Sequence, residues 1–371
     1  MQGKETGAAS WFRGISELSY WSASVIILDD ACIVAENITK RSLIGIGPRC
    51  FNSAYSTTAV NVWYLSFHGG TDHNSRNNIH VYSETGDELG KALNRKGLPD
   101  HIELRELRGF GFGPDHHLYV VNAYREASQI LRFTGRTNSE GQHDFLDVFV
   151  AHHHELNPQL VHPFNFAFCT AGNLHVSNQD TNCVSRYHGP HAEHPGLPMP
   201  LPKAIREIGQ PAPGVFVPSV EQWKDGVGVV RDVLIGPDAN LYVADRDTDA
   251  VTVYDPDTGQ RTGVIRSEEL SKPIHLTLDP TTRFLLIGNS GNDSVARYEF
   301  ATKACSMLVP PSACNLDGPA GMAFGRDGAF YVASRLSKEV LRFRFDHGQA
   351  TGRAFITGLE DNPEFLLSVT L

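Results

Sequence analysis

The stretch GPDANLYVADRDTDAVTVYDPDTG, residues 236 to 259, decides the fold. A Gly-Pro-Asp turn leads into an alternating apolar run at Leu241, Tyr242 and Val243. A polar Ala-Asp-Arg-Asp break follows, then a second run at Val251, Val253 and Tyr254, then an Asp-Pro-Asp-Thr-Gly turn. Turn residues bounding short alternating runs spell two antiparallel strands. The pattern recurs at 113 to 133 (GPDHHLYVVNAYREASQILRF) and, more weakly, at 172 to 187 (GNLHVSNQDTNCVSRY), 283 to 298 (RFLLIGNSGNDSVARY) and 328 to 343 (GAFYVASRLSKEVLRF). One unit repeated with four strands every ~40 to 50 residues is the arithmetic of a β-propeller, so the fold class is all-β.

Blade starts align on the strand that precedes each Gly-rich turn: LRGFGFG from Leu107, PFNFAFC from Pro163, VRDVLIG from Val230, PIHLTLD from Pro273, PAGMAFG from Pro319 and PEFLLSV from Pro363. The final start has no strands after it, whereas the strands at Val60 to Phe67 and Ile79 to Tyr82 have no start before them. The two fragments complete one blade. Six blades closed by the C-terminal strand pairing into the N-terminal blade are therefore expected, a closure that also removes an open sheet edge. If residues 24 to 47 form a sheet of their own, the count is seven. An outer strand is expected near Ile102 to Leu107. Residues 1 to 50 read as an N-terminal extension, and 51 to 371 as a single propeller. A Pro-rich insertion at about 189 to 228, with eight prolines between 190 and 218, cannot supply a central strand and suggests an extended wrap or a lid.

The 32 basic and 42 acidic residues give a net charge of -10, which disfavours nucleic acid and anionic membrane as partners and mildly favours neutral or cationic ligands. Six cysteines with no Cys-x-x-Cys pair make neither a disulfide framework nor a zinc knuckle; Cys305 and Cys314, flanking a Pro-Pro turn, could bridge or stay free. The N-terminus lacks the order of a secretory signal and no apolar run is long enough to span a bilayer, so a cytoplasmic monomer is the expectation. The Gly-x-Ser-x-Gly elbow, the P-loop and the dinucleotide fingerprint are absent.

In a propeller, the starts of innermost strands and the loops after second strands converge on one mouth of the axial channel. One column of starts reads Gly109, Asn165, Asp232, His275, Gly321 and Phe365; the column before it reads Arg108, Phe164, Arg231, Ile274, Ala320 and Glu364. The loop column reads His68, Asn122, Asn178, Asp245, Asn289 and Ser334, and His162 joins from an entering loop. Convergent polar groups make a ligand pocket. Asn and Asp after a strand also cap their own turns, which is the competing reading for Asn178, Asp245 and Asn289. Asp232 and His275 sit inside apolar strand starts, where a turn role is less natural. The histidines at 152 to 154 read as a solvated loop, and His188, His191 and His194 fall on the far mouth.

At GPDANLYVADRDTDAVTVYDPDTG and at GPAGMAFGRDGAFYVASRLSKEVLRF, residues 318 to 343, the chain resembles NHL-repeat propellers and their six-bladed relatives. These include the gluconolactonase or senescence-marker lactonases, the strictosidine-synthase-like cyclases and the peptidyl-hydroxyglycine lyases. The resemblance covers roughly residues 60 to 371. It implies a small-molecule enzyme at the channel mouth. In the lactonase form, Glu364, Asn165 and Asp232 would hold Ca2+ or another divalent cation that polarises an ester carbonyl. Asn165 and Asp232 lie one residue later than that family's register, which turns a strand side chain to the other face unless a bulge restores it. Asp232 or His275 would move the proton, and Arg108 or Arg231 would steady negative charge. A cofactor-free cyclase, isomerase or lyase in the same channel is the alternative enzyme. A non-catalytic binding propeller with a protein partner is the alternative outside enzymes.

Overall fold

The computed structural model describes residues 60–69, 76–124, 127–209, 211–346 and 349–371. The N-terminal extension and the candidate seventh sheet at 24 to 47 lie outside them. Six four-stranded antiparallel sheets follow one another around a ring. Blade 1 comprises Pro363–Thr370, Asn61–Phe67, His80–Ser83 and Glu88–Lys91, from the axis outward. Blade 2 comprises Leu107–Phe112, Leu118–Asn122, Gln129–Phe133 and Phe145–Ala151. Blade 3 comprises Pro163–Phe168, Leu174–Asn178, Cys183–Tyr187 and Val215–Val217. Blade 4 comprises Val230–Ile235, Leu241–Asp245, Ala250–Tyr254 and Arg261–Arg266. Blade 5 comprises Pro273–Leu278, Phe284–Asn289, Ser294–Glu299 and Cys305–Val309. Blade 6 comprises Pro319–Phe324, Phe330–Ser334, Glu339–Asp346 and Gln349–Ile356. The C-terminal strand closes the ring by pairing from Asn61↔Thr370 to Phe67↔Pro363, with Val60 and Leu371 exchanging backbone hydrogen bonds beyond it.

Alternation in the strands feeds two interfaces at once. In the second strand of blade 4, Leu241 and Val243 pack against blade 3, while Tyr242 and Ala244 pack against blade 5. A hydrophobic cluster fills each junction, including the one between blades 6 and 1, where Trp63 and Leu366 meet Tyr331 and Ala333. The core is thus a continuous annulus between sheets.

The repeated letters of the sequence form one device. At the far rim, Tyr119, Tyr242 and Tyr331 donate their hydroxyls to Asp115, Asp238 and Asp327 at 3.0, 3.0 and 3.2 Å. Each tyrosine ring lies flat against the glycine that opens its turn. A Cβ on Gly113, Gly236 or Gly325 would sit 2.4, 2.3 or 2.7 Å from that ring, so the Gly, the Asp and the Tyr require one another.

Two expectations are corrected. The outer strand of blade 1 is Glu88–Lys91, because a tight Ser83–Thr85–Asp87 turn folds it straight back onto His80–Ser83. Ile102 and Leu104 instead fill the blade 1 to blade 2 core from the connecting loop. The Pro-rich insertion supplies the edge strand Val215–Val217 and a short helix, Lys203–Arg206. Its first part lies on the far rim, where the buried Arg186 guanidinium donates to the carbonyls of Pro200, Pro256 and Asp257. Its first part is therefore no lid over the candidate mouth. Cys305 and Cys314 are free thiols, and no helix among the described residues is long and apolar enough to cross a membrane.

Beside Arg186, His175 is wholly buried against Phe216 and the Pro256 carbonyl. Burial, then the Arg186 charge, pushes its imidazole down from 6.5 to about 3, so it stays neutral in the fold. Burial also lowers His143, which lies 2.9 Å from the Tyr64 hydroxyl across the junction of blades 1 and 2. Unfolded histidines take up protons below about 6.5 while the folded ones do not, so this stability is complete above that pH and is lost as pH falls toward 3. Urea denaturation should show unfolding free energy dropping by about 1.4 kcal/mol per pH unit for His175 alone through that window. His175→Gln should flatten the slope; an unchanged slope would contradict the assignment.

Candidate active site at the channel mouth

All six innermost strands carry a register shift at the same place: between the partners of Leu107 and Phe110, Pro163 and Phe166, Val230 and Val233, Pro273 and His275, Pro319 and Met322, and Pro363 and Leu366. A bulge puts two residues opposite one and re-aims their side chains. Both columns read from the sequence lie in it, and both reach the axis. Phe164 from blade 3, His275 from blade 5 and Phe365 from blade 1 meet there, with ring centres 5.0, 5.2 and 4.6 Å apart in pairs, and plug the channel.

Asp232 and His275 belong to this plug, at 1% and 2% exposure. Asp232 Oδ1 accepts Asn165 Nδ2 at 2.6 Å and the Val233 amide at 2.8 Å; Oδ2 accepts the Leu276 amide at 2.8 Å and lies 3.4 Å from His275 Nδ1. One carboxylate therefore ties blades 3, 4 and 5. The two do meet as a pair, but beneath aromatic rings, where a molecule in the mouth reaches neither. Gly109 is small for the same reason: a Cβ there would lie 1.9 Å from Asn165 Oδ1.

One residue nearer the mouth, Glu364 is almost fully buried. Its Oε1 accepts Arg335 Nε at 2.6 Å, with Arg108 Nη1 at 3.3 Å and His68 Nδ1 at 3.4 Å. Burial alone would push this carboxyl up; Arg108, His68 and Arg335 overcome it and hold it at about 2. The set proposed for a divalent cation does not fit one. Glu364 is surrounded by cationic side chains, and Asn165 turns its amide nitrogen to Asp232. Asp232 in turn is occupied by N–H donors, and no group of three His, Cys, Asp or Glu among the described residues could hold a metal.

The remaining candidates divide cleanly. Asn122 holds the Arg105 amide and the Glu103 carbonyl, both at 2.8 Å. Asp245 accepts the amides of Gly228 and Val229, and Asn289 holds Ser271 and Glu269 in the same way. Each clasps the loop entering its own blade. Asn178 holds its own hairpin through Val176 and Ser185. All four are buried; Asn122, Asp245 and Asn289 are engaged as structural clasps, and Asn178 donates within its hairpin while its Oδ1 has no hydrogen-bond partner. His68 was aligned with them one residue out of step. Phe67 pairs with Pro363 as Asn122 pairs with Leu107 and Ser334 with Pro319. The true counterparts of His68 are Ala123, Gln179, Arg246, Ser290 and Arg335, the first residues beyond the second strands at the mouth end of each blade.

That column supplies two residues the sequence reading missed, Arg246 and Arg335. Together with Arg108 and Arg231 they gather four guanidiniums at the mouth of a molecule of net charge -10. Arg231 is half-buried and has no carboxylate within ion-pair distance among the described residues. Burial first, then Arg246 and Arg108, pulls it down to about 10. Two further groups were missed: Glu106 and Asp180. His162 sits between them, Nε2 3.3 Å from Glu106 Oε2 and Nδ1 3.1 Å from Asp180 Oδ1. Glu106 and His162 hold left-handed φ of +48° and +51°, at the position where blade 6 has Gly318 at +64°. Such a conformation costs a non-glycine residue about 1–2 kcal/mol.

A family described as "Lactonase, 7-bladed beta-propeller" matches residues 257–360, within blades 4 to 6. Among solved structures, a putative 6-phosphogluconolactonase from Bacteroides fragilis is 19% identical over 82% of this chain and 84% of that one, with a TM-score of 0.51. Another from Bacteroides uniformis is 16% identical over 81% and 84%, with a TM-score of 0.52. A chain of a nidogen/laminin complex is 12% identical over 83% and 98%, with a TM-score of 0.56. At these identities the likeness is one of fold. No curated protein sequence matches the chain.

If Asp232 is a tie between blades, Asp232→Ala leaves the Val233 and Leu276 amides buried without acceptors. The loss should be about 2–5 kcal/mol of unfolding free energy in chemical denaturation. A variant as stable as the parent would show that the carboxylate is held for another purpose.

Proposed function

We propose that the protein is a lactonase-type hydrolase that acts on a small anionic molecule at this mouth. The observation that carries the reading is Arg231: a half-buried guanidinium that donates to the Val230 carbonyl, has no carboxylate within ion-pair distance among the described residues, and is crowded by other guanidiniums with Asp180 opposing them. Like charges gathered in a concave site repel one another and are relieved by an anionic ligand. Arg335 and Arg108 share the carboxylate of Glu364, and Arg108 also reaches Glu106 at 3.8 Å, while Arg231 and Arg246 add positive charge toward the opening. Guanidiniums suit a carboxylate or phosphate group, and they also suit the oxyanion that develops when water adds to a lactone carbonyl. The lactonase match over 257–360 and the putative 6-phosphogluconolactonases among similar folds support the same chemistry. No step requires a metal.

The test compares 6-phosphogluconolactone with uncharged gluconolactone. Hydrolysis of the phosphorylated lactone should prevail, and Arg231→Met should weaken kcat/KM for it by about 10- to 100-fold, the worth of a charged hydrogen bond, with little change for the neutral one. Equal use of both lactones by parent and variant would remove the anionic reading. Stabilisation by phosphate without hydrolysis of either would make the chain a binding propeller.

A further inference from the structure

We propose that Glu106 is the general base of this site, with His162 and Asp180 behind it as positioning residues. The inference rests on the lactonase reading and deepens it. The carboxylates beside Glu106 are separated from it by their surroundings. Glu364 is buried and locked by Arg335 at 2.6 Å, and Asp232 lies in the plug with both oxygens accepting N–H groups. Asp180 is on the outer side of His162. Glu106 accepts no backbone amide among the described residues, and its side chain stays 17% exposed beside Arg108, whose Nη2 lies 3.8 Å from Oε2. It enters the mouth from the left-handed position that precedes the innermost strand, as His162, Lys272 and Gly318 do in their own blades. The three side chains lie in order, Asp180, His162, Glu106, with His162 Nε2 meeting Glu106 Oε2 as an ion-pair contact at 3.3 Å rather than as a hydrogen bond. The His162 ring first, then Arg108 and His68 against the opposing effect of burial, keep the Glu106 carboxyl below its usual range. It is therefore ionised and able to accept a proton at neutral pH.

In the step, Glu106 takes a proton from water while the water oxygen bonds to the lactone carbonyl carbon. The carbonyl π electrons move to its oxygen, facing the guanidiniums. Collapse re-forms the carbonyl and breaks the ring acyl C–O bond, and the departing alkoxide takes the proton back from Glu106. Lactone and water become a hydroxy acid, and the carboxylate is regenerated.

With 6-phosphogluconolactone as substrate and inorganic phosphate as the binding probe, Glu106→Gln should lower kcat about 100-fold or more while phosphate still stabilises the protein to heat. Glu106→Asp should recover part of the rate. His162→Gln, which removes the group that depresses Glu106, should move the acidic limb of the kcat/KM profile to higher pH. Glu106→Gln keeping kcat within threefold of the parent overturns the assignment and leaves the lactonase reading standing. A parent protein that hydrolyses neither lactone overturns both. Should Glu106→Gln fail to fold, the Glu106→Asp rate and the His162→Gln limb decide: parental rate and an unmoved limb overturn the assignment.

Discussion

The backbone hydrogen bonds between Asn61–Phe67 and Pro363–Thr370 join the two ends of the propeller, and everything at its axis depends on them. Without that pairing, blade 1 lacks its innermost strand, and the junctions between blades 6 and 1 and between 1 and 2 lose Leu366, Phe365 and Val369. The same strand carries the chemistry of the mouth. Glu364 neutralises part of the arginine cluster, and Phe365 completes the aromatic plug. Closure is also fastened at the mouth itself: the His68 amide donates to the Asn362 carbonyl and the Gly69 amide to Asp361.

The mouth is an electrostatic compromise. A buried carboxylate is costly unless it is paired, and Glu364 is paired more than once over. The surplus cations are tolerated because Arg335 and Arg231 keep partial access to water. Glu106 and Asp180 add negative charge on the blade 2 and blade 3 side. The opening is thereby polarised, with guanidiniums around it and a carboxylate–imidazole row at one edge. Beneath it, the rings of Phe164, His275 and Phe365 meet across the axis.

Much of this was legible because repetition exposes register. The blades, their starts and the completion of the first by the last followed from turn letters and from unmatched ends at Val60 and Leu371. The bulge was not legible, since no residue type marks it across all six strands, yet it decides which side chains face the axis. The loop column failed for a smaller reason. Aligning His68 with Asn122 ignored that the strand before it ends at Phe67, and one residue of slip exchanged the clasps for the site. Arg246 and Arg335 were recoverable by that correction alone. Glu106 was not, because nothing in its residue type marks a left-handed loop position, whereas His162 was already a candidate from the loop entering its blade.

The central claim is that the C-terminal strand is part of the cooperative ring. Native-state hydrogen exchange tests it directly, since amides opened only by global unfolding exchange far more slowly than those of frayed ends. The amides of Leu367 and Val369 should be protected to the same level as those of Leu241–Asp245 in blade 4. Exchange of the C-terminal amides at the rate of exposed loops, with blade 4 still protected, would contradict the closure and the site built upon it.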